Sequence, residues 1–194
     1  MSSKFKLGLF FGSFDPIHIG HQVIAKKALE FVDVVMFIVA KQNPFKDKSK
    51  ACFSDRYEMC IQACFWEDKM ITVDFEQKLS GKTWDTLEYI KKVYTNAELY
   101  IICGDDTYFD IENWYYGEEI LENYKFLVFK RDYQKCVTLR DNAQILNVIG
   151  FDKFSSTLVR QLIKEKSELV QYYIQPRVYK YIKENNLYVD TNKT

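Results

Sequence analysis

Residues 6–31 read KLGLFFGSFDPIHIGHQVIAKKALEF, and this stretch decides the fold. The apolar run at 7–11 predicts a buried strand, and Gly12 and Pro16 mark a loop after it. Apolar residues at helical spacing from Ile19 onward predict a helix. A strand, a glycine turn and a helix N-terminus present backbone N–H groups without helical partners, and such groups favour a bound phosphate.

His18 and His21 are the only two histidines in 194 residues, and both fall in this turn. Two side chains three positions apart at the start of a helix point to the same side, towards whatever the N–H groups hold. We interpret the turn as a nucleotide-phosphate site. A hydrogen-bonded core histidine is the ordinary alternative, and a zinc site is disfavoured because no further His or Cys pair lies nearby in sequence. The residues expected to form this nucleotide-phosphate site are Gly12, Ser13, Phe14, His18, Gly20 and His21.

The charge balance argues against two kinds of binding partner, and the cysteines indicate the cellular compartment. There are 27 basic and 27 acidic residues, and a formal charge of zero argues against nucleic-acid or membrane binding through bulk electrostatics. Residues 1–6 are polar and the first apolar run is short, so neither a signal peptide nor a membrane span is expected. An odd number of cysteines without framework spacing then predicts reduced thiols in the cytoplasm. The five cysteines are Cys52, Cys60, Cys64, Cys103 and Cys136.

Short apolar runs alternate with helical patterns along the rest of the chain. Ser54 is expected to cap a helix over 54–66, and a second helix is expected over 80–93. This alternation predicts an α/β fold with a doubly wound, Rossmann-like parallel sheet. We expect one domain, 1–194, with a C-terminal helical part at about 155–188. The further runs expected as strands are 34–40, 70–75, 99–103, 126–129 and 145–149.

Several polar residues follow predicted strands, where parallel sheets bind their ligands. Gly104 and Asp106 follow the strand at 99–103. The carboxylate of Asp106 either holds sugar hydroxyls or caps the next helix. Lys46 lies in a lysine-rich loop after the second strand, and a solvated surface loop is the alternative interpretation. Arg160, one turn into a later helix, supplies a guanidinium fork for phosphate oxygens. Spare donors at the start of that helix are expected at Ser155, Ser156 and Thr157.

Two of these segments resemble a known superfamily. GSFDPIHIGH at 12–21 is similar to the first motif of the HxGH nucleotidylyltransferases, and FSSTLVR at 154–160 is similar to the second. The resemblance runs from about residue 6 to residue 188. It implies a nucleotidylyltransferase-type Rossmann-like fold, in which His18 and His21 contact the triphosphate and stabilise charge at the α-phosphorus. Lys46 and Arg160 would neutralise the leaving pyrophosphate together with Mg²⁺, with no further metal site.

The resemblance also points to the acceptor. Trp114 and Tyr115 are similar to the Trp-Tyr pair of adenylyltransferases that use nicotinate or nicotinamide mononucleotide, and the indole would stack on the pyridine ring. Thr83 matches the first threonine of the pyridine pocket, although the two residues before it depart from the pattern. Arg131 would meet the phosphate of the acceptor. The family commonly has Pro-His-Lys where this chain has Phe45 before the lysine, so any role of that histidine is absent.

The implied activity is the transfer of AMP from Mg-ATP to nicotinate (or nicotinamide) mononucleotide in NAD biosynthesis. The products would be deamido-NAD (or NAD) and pyrophosphate. A phosphopantetheine adenylyltransferase and a non-catalytic nucleotide-binding protein of the same fold are the alternatives. Side-chain identity does not separate the two pyridine acceptors, and the acid form is the default. No nucleic acid or membrane partner is expected, and a homo-oligomer is compatible with the sequence.

Overall fold

The computed structural model describes residues 4–41, 50–130, 138–150 and 153–189, and these form one parallel sheet with helices on both faces. The strands of the described residues are β1 (Phe5–Gly12), β2 (Val34–Val39), β3 (Met70–Val73), β4 (Ala97–Gly104), β5 (Lys125–Phe129) and β6 (Ala143–Leu146). Their order across the sheet is β3-β2-β1-β4-β5-β6, and every neighbouring pair is parallel. The predicted doubly wound, Rossmann-like sheet is thereby confirmed.

Helices connect most successive strands and continue after the last one. In the described ranges, no helix has the length and apolar content needed to cross a bilayer. Short 3-10 turns lie at Ile111–Asn113 and Glu168–Tyr172. The α-helices described are α1 (Ile19–Ala28), α2 (Phe53–Cys64), α3 (Phe75–Lys78), α4 (Thr83–Val93), α5 (Asp105–Asp110), α6 (Gly117–Asn123), α7 (Ser156–Lys164) and α8 (Pro176–Glu184).

The core is divided into two layers by the sheet. Successive strand residues point to opposite faces, so Leu9 and Ile101 belong to one apolar cluster while Phe10 and Ile102 belong to the other. All four side chains are at least 96% buried. Helices α1, α2, α7 and α8 contribute to the cluster around Phe10, and α4 and α6 contribute to the cluster around Leu9. Burial on both faces explains why these strands are continuous apolar runs rather than alternating ones.

The strand order reverses between β1 and β4, and this reversal places the site. These two strands are paired from Phe5↔Ala97 to Phe10↔Ile102. Their carboxyl ends therefore lie side by side, and a crevice opens where the two chain crossovers leave in opposite directions. The loop after Gly12 and the turn after Gly104 both lie at this edge.

Two strands end two or more residues before the position expected from the sequence. The strand expected over 70–75 stops earlier, and Phe75 begins α3 with its ring 5.1 Å from that of Tyr89. The strand expected over 145–149 lies further towards the N-terminus and leaves Ile149 90% exposed. Both runs contain apolar residues that do not pair in the sheet, so apolar character placed these strands but misjudged where they end.

Two helix starts also differ. The predicted cap at Ser54 is wrong, because Cys52 is the N-cap of α2 and its thiol lies 2.9 Å from the Ser54 hydroxyl. The helix expected over 80–93 begins only at Thr83. Gly81 has φ +82°, a left-handed conformation that glycine adopts readily and that does not continue into a helix.

Candidate active site

The two histidines form a stacked pair at the beginning of α1. His18 is the N-cap, and its backbone N–H donates to Nδ1 of His21 over 3.2 Å. Their rings stack with centroids 3.7 Å apart and planes 25° apart. Since Nδ1 of His21 accepts this hydrogen bond, the neutral His21 ring carries its hydrogen on Nε2. The pair thus closes the helix N-terminus and places a ring donor beside the backbone donors of the first turn.

Gly20 and Phe154 bring the two predicted phosphate segments into contact. A Cβ atom on Gly20 would lie 2.8 Å from the Cβ of Phe154 and 3.0 Å from ring atoms of His18, so no larger residue fits without displacement. The Phe154 ring lies 6.3 Å from the His18 ring, with planes 19° apart. Phe14, fully buried, supports the other side with its ring 5.0 Å from that of His21.

Two long-range hydrogen bonds fix α7 against this turn. A terminal nitrogen of Arg160 donates to the backbone carbonyl of Asp15 over 2.6 Å. The hydroxyl of Ser156 donates to the backbone carbonyl of Pro16 over 2.9 Å. The N-terminus of α7 therefore lies beside the loop that leads into α1, and the convergence expected from the sequence is present.

The first turn of α7 has the capping geometry that the sequence predicted. Ser155 is the N-cap, and its hydroxyl accepts the Leu158 N–H over 3.1 Å. The other terminal nitrogen of Arg160 donates to the Thr157 hydroxyl over 3.1 Å, which holds the guanidinium along the helix start. Two helix N-termini, each carrying a basic or ring-donor side chain, face one another across the loop at the sheet edge.

The third segment predicted to bind ATP lies at the end of β4. Gly104 is the N-cap of α5, and the Asp106 carboxylate accepts the Thr107 N–H over 2.9 Å. Asp106 is exposed, whereas Asp105 is buried and accepts the Asp106 N–H over 3.0 Å. The helix-capping interpretation of Asp106 is wrong, because Asp106 is the second residue of α5 and no side chain caps that helix. Its exposed carboxylate also lies at the carboxyl end of the strand next to β1, where a sugar hydroxyl would be within its reach.

The segments that carry Thr83 and Tyr115 are in contact at the N-terminus of α4. The ring of Trp84 stacks on that of Tyr116, with centroids 5.0 Å and planes 28° apart. The ammonium of Lys82 lies 3.8 Å from the centroid of the Tyr115 ring. These two contacts hold the aromatic turn against the helix that begins at Thr83, so the two candidate substrate segments are neighbours.

The indole of Trp114 is fixed by a hydrogen bond from its ring N–H. Its indole N–H donates to the carboxylate of Asp110 over 3.2 Å, and the ring packs against the apolar cluster beneath the sheet. The next residue, Tyr115, is 49% exposed. The turn therefore combines an anchored indole with an exposed aromatic surface, the arrangement that stacking on a planar ligand requires.

A buried carboxylate links α4 to the end of β2. The hydroxyl of Thr86 donates to the carboxylate of Glu76 over 2.5 Å, and both side chains are almost fully buried. Burial raises the pKa of Glu76, while its hydrogen bonds with Thr86 and with the backbone of Lys41 act in the opposite direction. Thr86 is thus a structural residue of the acceptor side.

Two predicted site residues, Lys46 and Arg131, lie outside the described residues, as does Phe45. Within the ranges that are described, no three His, Cys, Asp or Glu side chains are grouped as metal ligands. Sequence reasoning did not select Asp15 or Arg56, both of which are buried under the phosphate turn. The available signal was an arginine on the inner face of α2, in helical register with apolar residues.

Comparison with known proteins identifies the family. The sequence profile of the cytidylyltransferase-like family matches residues 9–162. A Caldicellulosiruptor bescii protein named "Probable nicotinate-nucleotide adenylyltransferase" is 33% identical over 197 residues, covering 94% of this chain and 98% of the relative. A Flavobacterium johnsoniae protein of the same name is 35% identical over 193 residues, again covering 94% of this chain and 98% of the relative.

A solved structure has the same fold. The Plasmodium falciparum nicotinic acid mononucleotide adenylyltransferase complexed with NaAD superposes with a TM-score of 0.79 at 22% identity, covering 95% of this chain and 97% of that one. The superposition covers nearly the whole of both chains. This chain belongs to the cytidylyltransferase-like family and, within it, to the nicotinate-nucleotide adenylyltransferases.

Proposed function

We propose that this protein transfers AMP from ATP to nicotinate mononucleotide, releasing pyrophosphate and forming deamido-NAD. The observation that carries the proposal is the joint between α1 and α7, where Arg160 and Ser156 bond to the carbonyls of Asp15 and Pro16. It makes a two-sided cradle of N–H groups, imidazoles and a guanidinium, which suits a triphosphate. The names of the relatives support the acceptor.

The reaction needs no covalent intermediate with the protein. A 5′-phosphate oxygen of the acceptor attacks the α-phosphorus in line, a new P–O bond forms, and the bond to the bridging oxygen of pyrophosphate breaks. The attacking phosphate is already ionised at neutral pH, so no general base is required. Catalysis then consists of positioning the two reactants and stabilising the charge that develops on the leaving group.

Each predicted residue receives a role in this scheme. His18 and His21 would hold the triphosphate and the developing charge, and Arg160 would neutralise the leaving pyrophosphate together with Lys46. The turn at 12–14 and the start of α7 would add backbone and hydroxyl donors. Mg²⁺ would arrive with ATP, bound mainly by the phosphate oxygens, and would offset their charge.

The sugar and the acceptor occupy neighbouring parts of the sheet edge in this proposal. Gly104 and Asp106 would bind ribose hydroxyls. Trp114 would stack on the pyridine ring beside Tyr115 and Thr83, and Arg131 would meet the phosphate of the acceptor. All the described groups come from one chain, so the scheme requires no second copy. We place the reaction in the cytoplasm, on small molecules and without nucleic acid or membrane.

The acid form of the acceptor is favoured by charge. Lys82 is the N-cap of α4, and its ammonium lies beside the ring of Tyr115. A carboxylate on the pyridine ring would be attracted to it, whereas a neutral amide would not.

An assay of pyrophosphate release separates the candidates. The purified protein is incubated with Mg-ATP and, in turn, nicotinate mononucleotide, nicotinamide mononucleotide or phosphopantetheine. We expect the highest kcat/KM with nicotinate mononucleotide. Preference for phosphopantetheine would establish the other adenylyltransferase class. Binding of ATP without turnover on any acceptor would establish a non-catalytic nucleotide-binding protein.

A further inference from the structure

Two charged side chains lie buried beneath the phosphate turn, and neither has a role in the scheme above. Arg56 of α2 is 1% exposed and Asp15 is 7% exposed. Burying a charge is costly unless hydrogen bonds replace the lost water, so such groups are kept where their contacts matter. The contacts of both side chains converge on the backbone of the site.

Arg56 uses all three of its guanidinium nitrogens on backbone carbonyls. Its Nη1 donates to Ser13 over 2.7 Å and to Ala40 over 2.8 Å. Its Nη2 donates to Lys41 over 3.0 Å, and its Nε to Ala51 over 3.3 Å. The rigid fork therefore joins the phosphate turn to the segments that follow β2 and precede α2.

Asp15 is the complementary acceptor. Its carboxylate accepts the N–H of Lys50 over 2.7 Å and that of Ala51 over 3.1 Å. Its backbone carbonyl accepts the guanidinium of Arg160. One residue therefore connects the phosphate turn both to the segment before α2 and to the arginine proposed to meet pyrophosphate.

The third hydrogen bond to the Asp15 carboxylate comes from the far end of the chain. The hydroxyl of Tyr188, four residues beyond the end of α8, donates to Oδ1 over 2.7 Å across 173 positions of sequence. Tyr188 adopts φ +63°, a left-handed conformation that is uncommon for a tyrosine. Burial raises the pKa of Tyr188 well above its usual range, and the Asp15 carboxylate acts in the same direction. The hydroxyl is therefore a permanent donor under working conditions.

We infer that Arg56, Asp15 and Tyr188 are positioning residues of the triphosphate site, with the C-terminal tyrosine fixing the phosphate turn through Asp15. The inference rests on the proposed function. None of the three is assigned contact with substrate. They act by fixing the backbone of Ser13 and Asp15, and through the latter the Arg160 guanidinium.

The alternative is a purely structural clamp, and the chain offers a matched control for it. Tyr181, on α8, donates its hydroxyl to the carboxylate of Asp55 over 3.0 Å. It has the same donor and the same kind of acceptor, but it links α8 to α2 and makes no bond to the phosphate turn. Removing either hydroxyl costs one hydrogen bond to a carboxylate, and only the loss at Tyr188 should loosen the site.

The test compares Tyr188→Phe with Tyr181→Phe by calorimetric titration with Mg-ATP in the absence of acceptor. We expect Tyr188→Phe to weaken Mg-ATP binding by about fivefold or more, because a charged hydrogen-bond acceptor loses its partner. Tyr181→Phe should stay within about twofold of the parent protein. In turnover assays, the KM for the pyridine mononucleotide should be unchanged in both variants, because neither tyrosine hydroxyl bonds to a residue of the acceptor side.

Equal Mg-ATP affinities for the two variants would overturn the inference. A second variant, Arg56→Lys, keeps the charge and cannot reach four carbonyls, so a folded Arg56→Lys with parental Mg-ATP affinity would also overturn it. Thermal unfolding of each variant confirms that affinity is measured on folded protein. If the parent binds Mg-ATP but transfers AMP to no mononucleotide, the proposed function fails while the affinity comparison still decides the positioning role.

Discussion

The guanidinium of Arg160 lies 2.6 Å from the backbone carbonyl of Asp15, although 145 positions separate the two residues in sequence. This hydrogen bond places the start of α7 against the loop that leads into the histidine pair. In the proposed reaction, the N-termini of α1 and α7 form opposite walls of one anion site.

Replacing Arg160 should lower kcat strongly while the protein stays folded. Arg160→Ala removes the charge that we propose lies next to the leaving pyrophosphate, and we expect kcat to fall by about 10²–10³-fold. Arg160→Lys keeps the charge, but its side chain cannot reach both the Asp15 carbonyl and the Thr157 hydroxyl. Its kcat should therefore lie between those of the parent protein and Arg160→Ala. Steady-state pyrophosphate release measures this. Lys164→Ala, in the last turn of the same helix, is the control and should keep a parental kcat.

The two tasks of His21 can be separated by substitution. His21→Ala loses both the acceptor for the His18 N–H and the phosphate contact, and kcat should fall by about 10²–10³-fold. In His21→Asn the side-chain oxygen can still accept that N–H, so thermal stability should return towards the parental value while turnover does not. Parental turnover in either folded variant would remove His21 from the catalytic set.

Acceptor selectivity should depend on Lys82. In Lys82→Gln the ammonium near Tyr115 is lost, and the preference for nicotinate over nicotinamide mononucleotide should fall by about two- to fivefold, as expected for one exposed charge. The ratio of the two kcat/KM values is the measurement. Lys78→Gln, an exposed lysine on α3 paired with Asp74, is the control and should leave the ratio unchanged. A ratio equally unchanged in Lys82→Gln would place acid recognition elsewhere.

The buried carboxylate of Glu76 should make stability depend on pH. Because burial raises the pKa of Glu76, the carboxyl group of this residue binds a proton more tightly in the folded protein than in the unfolded chain. The contribution of Glu76 to the free energy of unfolding therefore declines as pH rises from the ordinary glutamate range through the raised pKa. Glu76→Gln cannot titrate and can still accept from Thr86. Its stability relative to the parent, measured by urea unfolding, should increase with pH across that window, and a flat difference would contradict the assignment.

Much of this architecture is readable from local patterns. The continuous apolar run at 34–39 and the two histidines at one helix start are features of neighbouring residues, so the sequence predicts the parallel sheet and its first phosphate turn. The convergence of the start of α7 with the loop before α1 was also predictable, because parallel strands end at a common edge and both helix starts follow strands there.

The rest depends on contacts without a sequence pattern. Arg56 binds backbone carbonyls, which every residue has, so nothing in its partners' identities points to it. Tyr188 meets Asp15 across 173 positions, and no periodicity relates them. The late start of α4 follows from the left-handed conformation of Gly81. A backbone angle is not visible in composition, so this boundary could not be predicted.

The most direct measurement is a crystal structure of the protein with a non-hydrolysable ATP analogue and Mg²⁺. We predict that its triphosphate lies between the N-termini of α1 and α7, within hydrogen-bond distance of both His21 and the Arg160 guanidinium. A triphosphate that contacts only one of these helices, or that binds away from the carboxyl ends of β1 and β4, would contradict the proposal.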